Sequence, residues 1–363
     1  MVAETRSIAF GALGPRLENR RAGSGGWKNR RSLIHLRSAN GSGLPSRLGE
    51  VRPSATPTLA VVPSFSVVVP ATDAPTSLDE CLRAIRAAID PPQELIVVDA
   101  PAGAGPASAR NLGVAQATGD VVVFVDSDVA VHADAFERIR IAFAADPALT
   151  GVFGSYDDDP RAKGIVSEFR NLLHHHVHQS AAGIATTFWA GLGAVRRDAF
   201  LAIGGFDERS FPRPSIEDIE LGMRLVDGGG LILLDPLLQG RHLKRWTLAG
   251  MIHTDFTARG VPWVDLLLSR GSGSTALNLG WRHRLTAAAS VALLTTSVRR
   301  KVQPSLGLIV VIVILNHSLY RMLMRRRGLA FAVAAVPLHL VHHLVGVAAV
   351  PEGVRRFLRR RGA

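Results

Sequence analysis

The stretch GDVVVFVDSD, residues 119–128, decides how this chain folds. Gly119 and Asp120 are turn residues, Val121–Val125 are five consecutive strand formers, and the run stops at Asp126-Ser127-Asp128. A short apolar run bounded by turn residues reads as a strand buried on both faces. When such a strand ends in Asp-x-Asp, two carboxylates stand on one rim of the sheet. Hard cations such as Mg²⁺ or Mn²⁺ prefer oxygen ligands and keep phosphates as co-ligands. A second acidic cluster, Glu217-Asp218 with Glu220, lies far downstream and offers a carboxylate that can act as a base.

Working outward, Phe65–Val69 is a β-branched run closed by Pro70, and Leu78–Ile89 has helical spacing. Leu95–Val98 is another apolar strand capped by Asp99, and a helix is predicted around Ala107–Ala117. Strands alternating with helices predict a parallel sheet with ligands at the carboxyl ends of its strands, where Asp99 and Asp126 fall. Further on, Phe188–Val195 and Leu231–Leu234 read as strands and Ser215–Val226 as a helix. Ser215 is the expected N-cap, with Asp218 three residues on in a capping-box-like arrangement. Asp218 therefore has an alternative reading as a helix-start carboxylate.

Charge is uneven. Residues 1–60 hold ten Lys/Arg against three Asp/Glu, and residues 282–363 hold fourteen against one, so the chain's net +12 comes from its ends. Basic ends beside apolar runs point to an anionic membrane surface. No zinc-finger spacing or aromatic-rich basic motif points to nucleic acid. Residues 1–62, rich in Gly, Ser, Pro and Arg, read as a disordered basic extension. Cys81 is the only cysteine; it excludes an internal disulfide and sits in a helical apolar pattern as a core residue.

Three apolar segments close the chain: Leu285–Ser297, Leu306–Leu315 extending to Tyr320, and Leu329–Val350. Only the last has the ~20 residues that cross a bilayer comfortably. Basic clusters border them at Arg299-Arg300-Lys301, Arg325–Arg327 and Arg355–Arg361, and the positive-inside rule cannot satisfy all three if every segment spans.

Taken in order, SVVVP (66–70), ELIVVDA (94–100), ARNLG (109–113), GDVVVFVDSD (119–128), GGFDE (204–208) and SIEDIELGMRL (215–225) resemble family 2 glycosyltransferases. The run QGRHLKRW (239–246) is similar to the Gln…Arg-Trp element of membrane-attached members. The resemblance implies a GT-A fold: a Rossmann-like, mixed and mostly parallel sheet flanked by helices over residues 63–275. Membrane helices over 283–350 and a basic tail over 351–363 follow.

It implies that Asp126 and Asp128 are the metal motif, for Mn²⁺ or Mg²⁺; beside it, His242 reads either as a third metal ligand or as a strand-end polar residue. Pro70, Asp99, Arg110, Asp126, Arg245 and Trp246 are the implied nucleotide-sugar contacts. Asp218 is the implied catalytic base, with Glu217 as its neighbour and reserve. The expected reaction is a single displacement at the anomeric carbon, inverting it. The donor is a nucleotide-diphosphate sugar and the acceptor a lipid or glycan hydroxyl. The expected place is the inner face of the cell membrane, with the catalytic domain in the cytoplasm.

The chain departs from the family pattern at two places. A single acid, Asp99-Ala100, stands where two are usual, and only Pro101–Ala107 separates it from the following helix. Two other classes stay open on sequence. Gly103-Ala104-Gly105-Pro106 before a helix mimics the fingerprint of an NAD- or FAD-binding oxidoreductase. The shortened excursion also admits a non-catalytic membrane scaffold. Asp157-Asp158-Asp159 reads as a solvated loop, and His174-His175-His176 with His178 as a packing or interfacial face.

Overall fold

The computed structural model describes residues 63–271 and 280–362. The basic extension over 1–62 lies outside the described residues, as does the stretch around the expected domain boundary at 275. The sheet has eight strands: β1 Phe65–Pro70, β2 Glu94–Val98, β3 Val121–Val125, β4 Val129–Val131, β5 Leu149–Tyr156, β6 Gly183–Ala185, β7 Leu192–Arg196 and β8 Leu231–His242. Their order is β2-β1-β3-β7-β5-β8-β4, with β6 paired to β8 off that path.

The alternation around the decisive stretch gives β1, α1 (Leu78–Arg86), β2, α2 (Pro106–Gln116) and β3. Here β1 pairs in parallel with both β2 and β3. One expectation needs correction. Only three pairings are parallel and four are antiparallel, so the sheet is mixed rather than mostly parallel. β7 runs antiparallel between β3 and β5, and β4 and β6 both pair antiparallel with β8. β7 begins at Leu192, not Phe188, because Phe188–Gly191 form the approach to the site.

All five residues of β3 are buried. Val121, Val123 and Val125 enter the core under α1 and α3 (Ala135–Ala145), while Val122 and Phe124 enter the opposite core under α2 and α6 (Glu217–Asp227). That is the period-2 alternation of a strand covered on both faces. On the second face Phe124 sits edge-on to Phe206 at 5.3 Å and Phe188 at 6.4 Å. Cys81 is buried in the first core, where burial pushes its thiol up to about 12, consistent with a packing role.

Gly222 lets α6 approach the approach segment closely: a Cβ there would lie 2.2 Å from the Phe188 nitrogen. Gly222→Ala is expected to cost about 1–3 kcal/mol through overpacking. It should lower the melting temperature and also turnover, because the start of α6 would move away from Ala190.

A third cluster joins α4 (Ile165–Ser180) to the C-terminal helices α11 (His317–Arg327) and α12 (Leu329–Arg361). Among the described residues, α12 alone is long and apolar enough to cross a membrane by length and composition. α10 (Val302–Leu315) and α11 would do so only as one pair, and they bend by 82° at their break.

Candidate active site

Register sets the rim. Pro70 is level with Val98, and Val68 with Phe124, so Pro70, Asp99 and Asp126 stand together at the carboxyl ends of β1, β2 and β3. Asp99 is exposed and Pro70 buried. The chain turns after Asp128 into β4, whose Val129 pairs with His242 at the end of β8. That pairing carries His242 Nε2 to 3.6 Å from Asp128 Oδ2. The Leu243 N–H donates to the Asp128 carbonyl at 2.8 Å.

The two acidic clusters meet through Arg110 on α2. Its side chain is 4% exposed; Nη2 donates to Asp126 Oδ1 at 2.6 Å and Nη1 to Glu217 Oε1 at 2.9 Å. The guanidinium also lies 5.4 Å from the Phe206 ring centroid. Arg110 was expected to touch the nucleotide. Two of its donors join the strand end to the helix start, and its Nε is buried without a partner. Glu217 is equally committed, since its second oxygen accepts from the Ser215 N–H at 2.9 Å.

The predicted cap also differs. The helix starts at Glu217 with Ile216 at its N-cap, and the Ser215 hydroxyl donates to the Ala258 carbonyl instead. The reach back to Ser215 comes from Glu217, two residues on, so Asp218 is not the capping carboxylate.

Asp218 is half-buried. It accepts from the Ala190 N–H at 3.2 Å and from the adjacent Ile219 N–H at 2.8 Å. Burial, then the neighbouring Glu217 charge, raise its carboxyl; Arg110 and the Ala190 N–H oppose them, and the balance pushes it up to about 7. Asp126 is also raised, by burial first, against the pull of Arg110. Asp128 moves the other way: burial would raise it, but the His242 hydrogen bond and charge, with Lys244, hold it below the ordinary value. Carboxylates pushed apart in this way divide base and ligand roles between them.

The remaining wall was only partly anticipated. His242 stacks on Tyr156 at 4.1 Å, and Tyr156 meets His174 at 4.4 Å and Trp189 at 4.9 Å. Trp189 immediately precedes Ala190 and Gly191, whose carbonyl accepts from the Asp126 N–H at 3.0 Å. Of the histidine run, His175 and His178 bond carbonyls of β5 and pack, while His174 faces this wall. Arg245 is exposed just past β8. The Trp246 ring lies between Lys244 Nζ at 4.7 Å and the Arg170 guanidinium at 5.6 Å. Tyr156 and Trp189 carried no local motif; the sheet order puts Tyr156 against His242, the residue that faces Asp128, and Trp189 against Tyr156.

A divalent ion fits this donor set. One Asp126 oxygen is left over from Arg110, and the Asp128 carboxylate and the His242 nitrogen face each other, giving hard oxygen donors with one imidazole. The His242 Nδ1 is buried without a partner. Among the described residues no three such side chains form a ready-made cage, so phosphate oxygens and water would have to complete the set.

Residues 100–204 match the model of a known family, described as Glycosyl transferase family 2. That stretch of the chain, which includes β3 and the acidic rim, is therefore similar to the family. Two curated proteins from Mycobacterium tuberculosis, strains CDC 1551 / Oshkosh and ATCC 25618 / H37Rv, are 28% identical over 171 residues. Each is named a pre-mycofactocin glycosyltransferase. The matched stretch covers 44% of this chain and spans about a third (34%) of those relatives.

Among solved structures, a mannosyltransferase from Pyrobaculum calidifontis in complex with GDP-Man and Mn²⁺ is 16% identical. It covers 82% of this chain and 87% of its own, with a TM-score of 0.46. GalNAc-T7 with UDP, GalNAc and Mn²⁺ is 14% identical over 57% of this chain and 48% of its own, with a TM-score of 0.40. A Cβ at Gly105, the helix-opening glycine, would sit 2.3 Å from the Pro212 carbonyl oxygen, so close packing of that backbone accounts for glycine there without a dinucleotide.

Proposed function

We propose that the protein is a membrane-attached, metal-dependent, inverting glycosyltransferase. It moves a sugar from a nucleoside-diphosphate donor to a hydroxyl of a lipid or lipid-linked glycan. The observation that supports this reading is the Arg110 bridge, which joins Asp126 to Glu217, the neighbour of Asp218 with its carboxyl near 7, while His242 stands 3.6 Å from Asp128. The catalytic part begins at residue 63 and faces the cytoplasm, where nucleotide sugars are made. The C-terminal helices keep it near a lipid acceptor.

Asp126, Asp128 and His242 would hold Mn²⁺ or Mg²⁺. When bound, the ion supplies charge stabilisation to the departing diphosphate. Asp99 and Pro70 take the ribose and base at the neighbouring strand ends. Lys244 and Arg245 offer positive charge to the phosphates, and Trp246 borders the acceptor side. Asp218 accepts the proton of the acceptor hydroxyl as its oxygen bonds to the anomeric carbon and the bond to the diphosphate oxygen breaks. With one base and no carboxylate forming a covalent intermediate, the anomeric centre inverts.

The test is a binding panel of UDP, GDP and dTDP, with NAD and FAD as controls, on detergent-purified full-length protein with and without Mn²⁺. Metal-dependent binding of one nucleoside diphosphate is expected. Asp128→Asn should weaken it by at least about tenfold, the loss of one charged ligand interaction. Metal-independent binding of NAD or FAD, or no binding of any nucleotide, would sink the reading.

A further inference from the structure

We infer that α12 lies in the plane of the membrane surface rather than across it, and that α9 to α12 form a seat for a lipid surface carrying anionic headgroups. The inference deepens the membrane-attachment reading above and does not depend on the transfer chemistry. A helix of 33 residues is about 50 Å long. Crossing the ~30 Å hydrocarbon layer would put its two ends on opposite sides of the bilayer. Here both ends and the middle are tied to the same catalytic domain.

Just before α12, Arg326 pairs with Asp158 at 2.8 Å and Arg327 with Glu168 at 2.6 Å. Midway, His342 Nδ1 meets Asp255 Oδ2 at 2.8 Å, and Asp255 is also paired with the buried Arg170 of α4 at 2.6 Å. Near the far end, Arg356 and Arg360 reach Asp265 at 2.9 and 3.3 Å.

Asp255 and Asp265 belong to a segment that is itself pinned down: α7 (Leu248–His253), a π-helical stretch (Thr254–Gly260) and α8 (Val261–Arg270). The Trp246 N–H donates to the Ser167 hydroxyl at 2.8 Å, Ser215 donates to the Ala258 carbonyl at 2.9 Å, and Arg270 pairs with Asp227 at the end of α6. α12 lies on this segment closely. A Cβ at Gly353 would stand 2.5 Å from Val264, and one at Gly260 would stand 2.6 Å from Ala349. The buried residues Ala332, Ala335, His339, His343, Ala349 and Gly353 form a stripe along most of the helix.

The other side is apolar and open. Val333 is 61% exposed and Val350 45%, and on α9 (Trp281–Val298) and α10 the side chains of Val298, Leu306 and Ile314 are exposed as well. The run Arg299-Arg300-Lys301 between α9 and α10, with Arg325, is exposed and makes no ion pair with a carboxylate among the described residues. An apolar face beside unpaired cations is the pattern of an interfacial helix on anionic lipid.

The test places single cysteines at Arg325→Cys and Gly362→Cys, one at each end of α12, in the full chain; the native Cys81 is buried. Inside-out and right-side-out membrane vesicles are treated with an impermeant maleimide. Both positions should label from the same face. Labelling from opposite faces overturns the inference, as does a protein that fails to sediment with membranes. In parallel, Arg299→Gln, Arg300→Gln and Lys301→Gln together should weaken binding to vesicles of phosphatidylcholine with phosphatidylglycerol at least about fivefold, while leaving vesicles of phosphatidylcholine alone unchanged. Unchanged binding to both overturns the anionic-headgroup part. Nucleoside-diphosphate binding, measured on the same preparations, reports separately on the transferase reading.

Discussion

Asp218→Asn is expected to keep Mn²⁺-dependent binding of the donor and to lose turnover by about 10²–10⁴, the usual worth of a positioned general base. The amide can still accept one of the two N–H bonds that Asp218 now accepts from Ala190 and Ile219, so the start of α6 should hold. The pH profile gives an independent check. With its carboxyl pushed up to about 7, Asp218 is protonated and idle below that value and becomes a base above it. Wild-type turnover should therefore rise as pH passes through about 7, and the residual turnover of Asp218→Asn should lack that limb.

Stability should move the other way. An aspartate ionises near 3.9 in an unfolded chain, so between about 4 and 7 the folded state holds more protons and stability falls as pH rises. Removing the carboxylate removes that cost, so near pH 8 the variant's melting temperature should equal or exceed that of the wild type. A variant with near-normal turnover would show that another group takes the proton.

The second large effect is structural. Arg110→Met leaves Asp126 and Glu217 without the cation between them, and breaking a buried ion pair by removing one partner costs about 3–5 kcal/mol. Thermal unfolding should show a large drop in melting temperature, and Mn²⁺ affinity should fall because Asp126 loses its orientation. Arg110→Lys should recover only part of both, since an ammonium cannot reach two carboxylates with the fixed fork of a guanidinium. Equal melting temperatures for Arg110→Met and wild type would show that the bridge carries no stability.

Much of this was legible in one stretch of sequence. Val121–Val125 ending in Asp126-Ser127-Asp128 specified a doubly covered strand with carboxylates on its rim, because a five-residue apolar run can be satisfied only by burial on both faces. Local pattern also placed Pro70 and Asp99 at neighbouring strand ends, since β1, β2 and β3 follow one another with only helices between them. The apolar C-terminal segments were equally plain from composition.

Composition and spacing could not say which distant residues share a cleft. That Arg110 bridges Asp126 and Glu217 could not be read from sequence, because the distance from α2 to the start of α6 exists only in three dimensions. Ser215 looked like a cap, and the nearness of Ala258 took its hydroxyl away. The resemblance implied a mixed sheet, but the parallel alternation of the first half did not show that β7 would be the strand to enter antiparallel between β3 and β5. His242 reaches Asp128 through the β4–β8 pairing, and Tyr156 comes to stack on His242 through the β5–β8 pairing; both depend on the order of strands rather than on any motif. Sequence thus determined which segments are buried and which side chains carry charge, since hydrophobic patterning is local. Tertiary structure decided the pairing of those charges, and with it the raised carboxyl of Asp218 and the position of α12 against the domain, because ion pairing and burial are set by neighbours that sequence separation does not encode.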